Sequence, residues 1–177
     1  MRLFVAVSPP EDARTHLAAA LPSLQLGGRP VRPGQWHLTL AFLEDAPDDR
    51  VPDVRVAVEA AATTGPFSVR LTGAGAFGQV VWIGLSGETD RLVRLAGELR
   101  SRLRDAGFPV EERPFRPHLT IARGVDTRRA STAAALAELT DYDGPPWTVR
   151  ELVLFHSTLG PGGARHEPIG GAVLQPV

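Results

Sequence analysis

The sequence predicts an α/β or α+β sandwich built on an internal duplication, whose approximate two-fold axis would bring the two copies together from opposite sides. Three observations carry this. Apolar residues repeat at helical spacing in some segments, and β-type runs lie between them. The order strand, helix, strand with a His-x-Thr word, helix, strand occurs twice. The word itself recurs, as His37-Leu38-Thr39-Leu40 and His118-Leu119-Thr120-Ile121.

The elements follow in order. Arg2–Ser8 reads as a strand. Ser8, Pro9 and Glu11 read as N-cap, first helical residue and capping box of a helix. Its apolar face is Ala13, Leu17, Leu21 and Leu24, and Gly27-Gly28 ends it. Trp36–Leu43 is the first word's strand. Val51, Val54, Val58 and Ala61 give a second helix, stopped before Gly65-Pro66. Phe67–Phe77 is a strand in which Gly73 and Gly75 point to a bulge. The order then restarts with strand Val80–Ser86, Ser86 taking the place of Ser8. Leu92, Leu95, Leu99 and Leu103 line a helix that Gly107 can terminate. Pro117–Arg123 carries the second word. Ala130, Ala133, Leu136 and Ala137 suggest another helix, Trp147–Ser157 a long strand, and His166–Leu174 a closing one. Ser8 lies 29 residues before His37 and Ser86 32 before His118. The expected organisation is therefore one two-lobed domain: repeats over about 1–78 and 79–158, then a closing segment, 159–177.

Composition limits the chemistry. At 177 residues and 43% apolar, the chain can bury one core. No apolar run is long enough to span a membrane. Cysteine is absent, which removes disulfides, thiolate metal sites and thiol nucleophiles. Together these favour a cytoplasmic protein with no membrane partner. Lysine is also absent, all 19 basic residues being Arg, so a nucleotidyl-lysine or Schiff-base intermediate is excluded. The net charge of −1 argues against coating long nucleic acid and is compatible with reading a short terminus.

Alternate side chains of a strand share a face, so each word places a His and a Thr on one side and two aliphatics on the other. Strands facing each other would set two imidazoles and two hydroxyls around one cavity. One His in a strand is usually structural; two at equivalent places in a repeated pattern are not readily accidental. An inert relic of duplication and a metal site remain the alternatives. Neither word contains Asp or Glu, and a metal site usually adds one. No metal or other cofactor is expected.

The segments Trp36–Leu43 and Arg113–Arg123, with Arg2–Val7, Val80–Gly84 and Glu151–Ser157, resemble the 2H phosphoesterase superfamily. More narrowly they resemble the RNA 2′,3′-cyclic phosphodiesterases, formerly called 2′-5′ RNA ligases. The resemblance spans nearly the whole chain. It implies a two-lobed LigT-like fold with the His-x-Thr strands lining a central cleft, and metal-independent hydrolysis of RNA 2′,3′-cyclic phosphate ends to 2′-phosphates. It makes His37 the general acid and His118 the general base; the residues themselves leave that assignment open. Thr39 and Thr120 would donate to phosphate oxygens. Arg123 would contact phosphate, although its odd offset from His118 points it to the wrong face unless the strand twists or bulges. Ser157 enters as a substrate contact by resemblance alone. Where the family commonly has a Tyr after a Gly-rich turn, this chain has His166, read as a substitute or an exposed side chain rather than a third catalytic group. Trp36, Phe42 and Phe115 adjoin the motifs and are expected in the core; Arg113 and Arg116 are expected on a solvated face. A monomer acting on an RNA terminus or a nucleotide cyclic phosphate is expected. The alternatives are another cyclic or 2′-5′ linked nucleotide as substrate, weak 2′-5′ end joining, a non-catalytic RNA-end binder, and a structural module.

Overall fold

The computed structural model describes residues 1–21 and 26–175; Leu24 of the first expected helix face, and the last two residues of the closing segment, lie outside them. The described elements are β1 (Leu3–Val7), α1 (Glu11–Ala20), β2 (Arg29–Pro30), β3 (Leu38–Leu43), α2 (Val51–Ala61), β4 (Phe67–Phe77), β5 (Val80–Gly87), α3 (Thr89–Asp105), β6 (Leu119–Arg123), α4 (Ala130–Leu139), β7 (Trp147–Val149), β8 (Glu151–Gly160) and β9 (Gly163–Val173). They form two antiparallel sheets, ordered β3-β1-β8-β9 and β2-β6-β5-β4-β7. Helices α1 and α4 pack against β4, whereas α2 and α3 pack on each other, with α2 also on β8 and β9 and α3 on β3. Leu17, Leu40, Ile83, Leu99, Leu119 and Leu154, all fully buried, belong to one core spanning both sheets.

Each sheet draws strands from both halves of the chain. The first word's strand β3 pairs with β1, and β8 from the second half lies on the other side of β1. The second word's strand β6 pairs with β5, and β4 from the first half lies beyond it. The two word strands also share a defect. In β3, Val5 pairs Ala41 and Ala6 pairs Thr39, skipping Leu40. In β6, Val81 pairs Ala122 and Trp82 pairs Thr120, skipping Ile121. The same bulge thus falls at the same step of both word strands. The register equates Val7 with Ile83, so Gly84 rather than Ser86 takes the place of Ser8.

Local chemistry explains several departures from expectation. Helix α1 begins at Glu11 with Pro10 as N-cap and no side-chain cap, not at Ser8. A residue before proline is pushed out of the α region, so Pro9 cannot open a helix in front of Pro10. The single strand expected over Trp147–Ser157 is two: β7 pairs with β4 and β8 with β1 and β9, so the chain changes sheet at Arg150. In α4 the buried residues are Thr132, Ala135 and Leu139, one position off the expected face. An alanine-rich helix offers little contrast between faces, and Thr132 fixes the rotation by donating its hydroxyl to Asp126 O at 2.9 Å.

Other expectations hold. Gly73 sits in the β4 bulge at φ +63°, a conformation that suits glycine. Helix α3 ends in a paired hydrogen-bond cap: Gly107 N–H donates to Arg104 O (2.7 Å) and Phe108 N–H to Leu103 O (2.9 Å). Gly107 supplies the positive φ, +84°, that this cap requires.

Candidate active site

Both histidines stand one residue ahead of their strands, not inside them. Each is held by the backbone two residues earlier: His37 Nδ1 lies 2.7 Å from Gln35 O, and His118 Nδ1 lies 2.7 Å from Arg116 O. A carbonyl oxygen only accepts, so Nδ1 carries the hydrogen in both rings. That leaves Nε2 of each imidazole for the cleft. Gln35 anchors a second time, its side-chain amide donating to Ala164 O at 2.8 Å, which ties the His37 approach to the start of β9.

The shared bulge settles the face of Arg123. In β3 the burial runs Leu38 in, Thr39 part out, Leu40 and Ala41 both in, Phe42 part out; β6 repeats it, with Arg123 at the last place. Two consecutive inward residues reset the alternation. The residue five past each histidine therefore returns to the cleft. All six expected site residues, His37, Thr39, His118, Thr120, Arg123 and Ser157, line one cleft of about 1030 Å³.

The two imidazoles have different neighbours. Phe4 stacks on His37 (4.6 Å between ring centres, 25° between planes), and Phe155 lies 6.4 Å away. His166 meets His37 edge-on at 5.5 Å and Phe4 at 4.8 Å. Burial, reinforced by His166, Arg123 and His118, pushes the His37 pKa down to about 4 against the opposing pull of the Gln35 carbonyl. His118 faces Phe77 edge-on at 5.5 Å and Trp82 at 6.4 Å. His166 is neither exposed nor remote. It lines the cleft; burial, reinforced by Arg2 and Arg123, lowers its pKa against the opposing pull of the Arg165 backbone, and its buried Nδ1 makes no hydrogen bond of good geometry among the described residues.

Several cleft residues carried no signal in the words themselves. Arg2, Arg29 and Arg32 join Arg123 along the wall, with Phe4, Phe77 and Gln35; no Asp or Glu lines it among the described residues. Phe42, expected in the core, lines the cleft under Arg2, whose guanidinium carbon stands 4.8 Å from the ring centre. Trp36 is core, its indole N–H donating to Val31 O at 2.9 Å, and Phe115 packs against the core beneath Arg100. Arg113 and Arg116 are exposed and outside the cleft lining; the carbonyl of Arg116 is the part that serves the site. Among the described residues, no group of three or more His, Cys, Asp or Glu is placed to hold a metal ion. No helix there is long and apolar enough to cross a membrane.

A two-sheet α+β fold with paired His-x-Thr words over a basic cleft defines a class, the 2H phosphoesterases. Within it, the chain belongs to the 2′-5′ RNA ligase superfamily, whose family model matches residues 6–161. The RNA 2′,3′-cyclic phosphodiesterase of Thermus thermophilus is 34% identical over 92% of this chain and 85% of its own length. That of Escherichia coli is 31% identical over 95% and 93%. Among solved structures, a Thermus thermophilus protein superposes with a TM-score of 0.81 at 29% identity over 99% of both chains. Escherichia coli LigT complexed with 3′-AMP superposes with a TM-score of 0.80 at 26% identity over 98% of both.

Proposed function

We propose that this protein hydrolyses 2′,3′-cyclic phosphate ends of RNA to 2′-phosphomonoesters, with His37 and His118 moving the protons and no metal taking part. The observation that carries the reading is the pair of Nδ1-anchored imidazoles, each beside a threonine, on the wall of one cleft that no Asp or Glu lines among the described residues. The names of the relatives in Thermus thermophilus and Escherichia coli support the substrate.

Water attacks phosphorus and the P–O3′ bond breaks. His118 Nε2 takes a proton from the water; His37 Nε2 gives one to the departing 3′ oxygen, leaving a 2′-phosphate and a 3′-hydroxyl. Charge on the non-bridging oxygens rises as the fifth ligand arrives. Thr39 and Thr120 hydroxyls and the Arg123 guanidinium are the donors for it, with Ser157 a further contact. In the free protein His37 is neutral at neutral pH. A phosphate anion placed beside it favours the imidazolium, so the substrate itself draws in the proton that His37 returns to the leaving oxygen.

The test is a short RNA ending in a 2′,3′-cyclic phosphate, incubated with the protein and EDTA, its products separated by chromatography. A 2′-phosphate end is expected, and it should be lost in both His37→Ala and His118→Ala. Tight binding without turnover would make the protein an RNA-end binder instead, and a requirement for added metal would overturn the mechanism. A cytoplasmic monomer is the accompanying proposal, checked by cell fractionation and sedimentation.

A further inference from the structure

We infer that Arg29 and Arg32 form a second phosphate subsite, which holds the phosphodiester on the 5′ side of the terminal nucleotide. The preferred substrate is then an oligonucleotide end and not a nucleoside cyclic phosphate. This rests on the proposed function and names the substrate class for the same cleft.

Charge points there first. A cyclic phosphate diester is a monoanion. The cleft offers it Arg2, Arg29, Arg32 and Arg123 with no carboxylate among the lining residues. None of the four makes a salt bridge among the described residues. One guanidinium with a histidine is enough for one monoanion. The chain as a whole has a net charge of −1, so this concentration of arginine is local to the cleft.

Register points the same way. Strand β2 is two residues long and, among the described residues, pairs with β6 alone, setting Arg29 directly across from Arg123. Like charges opposite each other on neighbouring strands repel. The chain nevertheless secures this placement. Val31 N–H donates to Ile121 O at 2.8 Å. Gly28 lies so close to Arg123 O and Gly124 that a Cβ there would collide with backbone. A phosphate bound at each guanidinium offsets that repulsion. Arg123 shares its strand face with Thr120 and so belongs with the scissile phosphate; Arg29, one strand outward, and Arg32, at the start of the turn that leads to His37, belong with the next one.

The cleft also has the room. About 1030 Å³ is at the top of the range for sites that enclose one small ligand, and the cleft is open enough for a chain to continue out of it.

The experiment compares kcat/KM for adenosine 2′,3′-cyclic phosphate with that for the dinucleotide ApA ending in a 2′,3′-cyclic phosphate. The wild type is expected to favour the dinucleotide by about tenfold or more, the size of one charge-assisted phosphate contact. Arg29→Ala and Arg32→Ala should each pull that ratio toward one. Arg94→Ala, a change on the solvent face of α3 where the side chain is 75% exposed, should leave the ratio as it is. The salt dependence of kcat/KM should be steeper for the dinucleotide, by roughly 0.7 in the log–log slope for one added phosphate contact. Thermal melting confirms that each variant is folded. Turnover of both substrates with a wild-type ratio near one, or arginine variants that leave a high ratio intact, overturns the subsite and leaves the hydrolase standing. Failure to turn over either substrate overturns the hydrolase and the subsite together.

Discussion

The two lobes present the same word in different surroundings. Register equates Phe155 with Phe77, so each histidine has an aromatic ring from the last strand of the other half. There the likeness stops. In the second lobe β4 turns directly into β5 at Gly78-Gln79. In the first, β8 runs on past β1 and returns as β9, which brings His166 against His37 and gives Gln35 its anchor at Ala164. The added strand thus sets a further ring against one imidazole of a matched pair, and that ring is one of the influences that lower its proton affinity. A backbone repeat can supply the geometry; the asymmetry has to come from what is laid over it.

Substitutions in either lobe put this contrast at risk. The largest effect is expected from His37→Ala and His118→Ala, each lowering kcat by about 10²–10⁴-fold. Comparable losses from unequally buried rings would show that both move protons; a loss confined to one would reduce the pair to a single working group. Next, Thr39→Val and Thr120→Val should each lower kcat by about 10²–10³-fold with smaller change in KM, if both hydroxyls meet charge that develops only in the transition state. Third, the lowered proton affinity of His37 can be measured directly. NMR titration of the free protein is expected to place His37 near pH 4, and saturation with phosphate should raise it. The folded ring resists protonation until about 4 while the unfolded one accepts it near 6.5, so this contribution to stability is full above 6.5 and is lost as pH falls toward 4. Denaturant melts at about pH 7 and about pH 4.5 check the sign. The smallest effect is His166→Phe. It removes a buried unpartnered nitrogen while keeping a ring against Phe4, so Tm should rise by about 2–4 °C. It also removes one of the influences that depress His37, whose pKa should move up.

How much of this was readable in advance depended on whether the signal was local. Apolar periodicity marked α2 and α3, and the paired words marked both histidines and both threonines. Arg123 posed a parity problem because a bulge needs no unusual residue; Leu40 and Ile121 are ordinary aliphatics, and only pairing reveals the extra step. Arg29 and Arg32 were silent for a different reason: they reach the cleft through a two-residue strand too short to have a period. Phe42 looked like core because nothing in the chain says which aliphatic face it leaves. The break at Arg150 was invisible because both of its flanks are good strand sequence, assigned to different sheets only by long-range pairing.

The exchange of β4 and β8 between sheets has a mechanical outcome. Neither half of the chain owns a complete sheet: residues 1–78 lack the inner neighbour of β1, and the remainder lacks β4 between β5 and β7. A nick in the Gly78-Gln79 turn would cut the polypeptide without parting the lobes, since each fragment is clasped by the other. Unfolding should accordingly proceed as one cooperative event in calorimetry, with no stage at which one lobe melts and its twin survives.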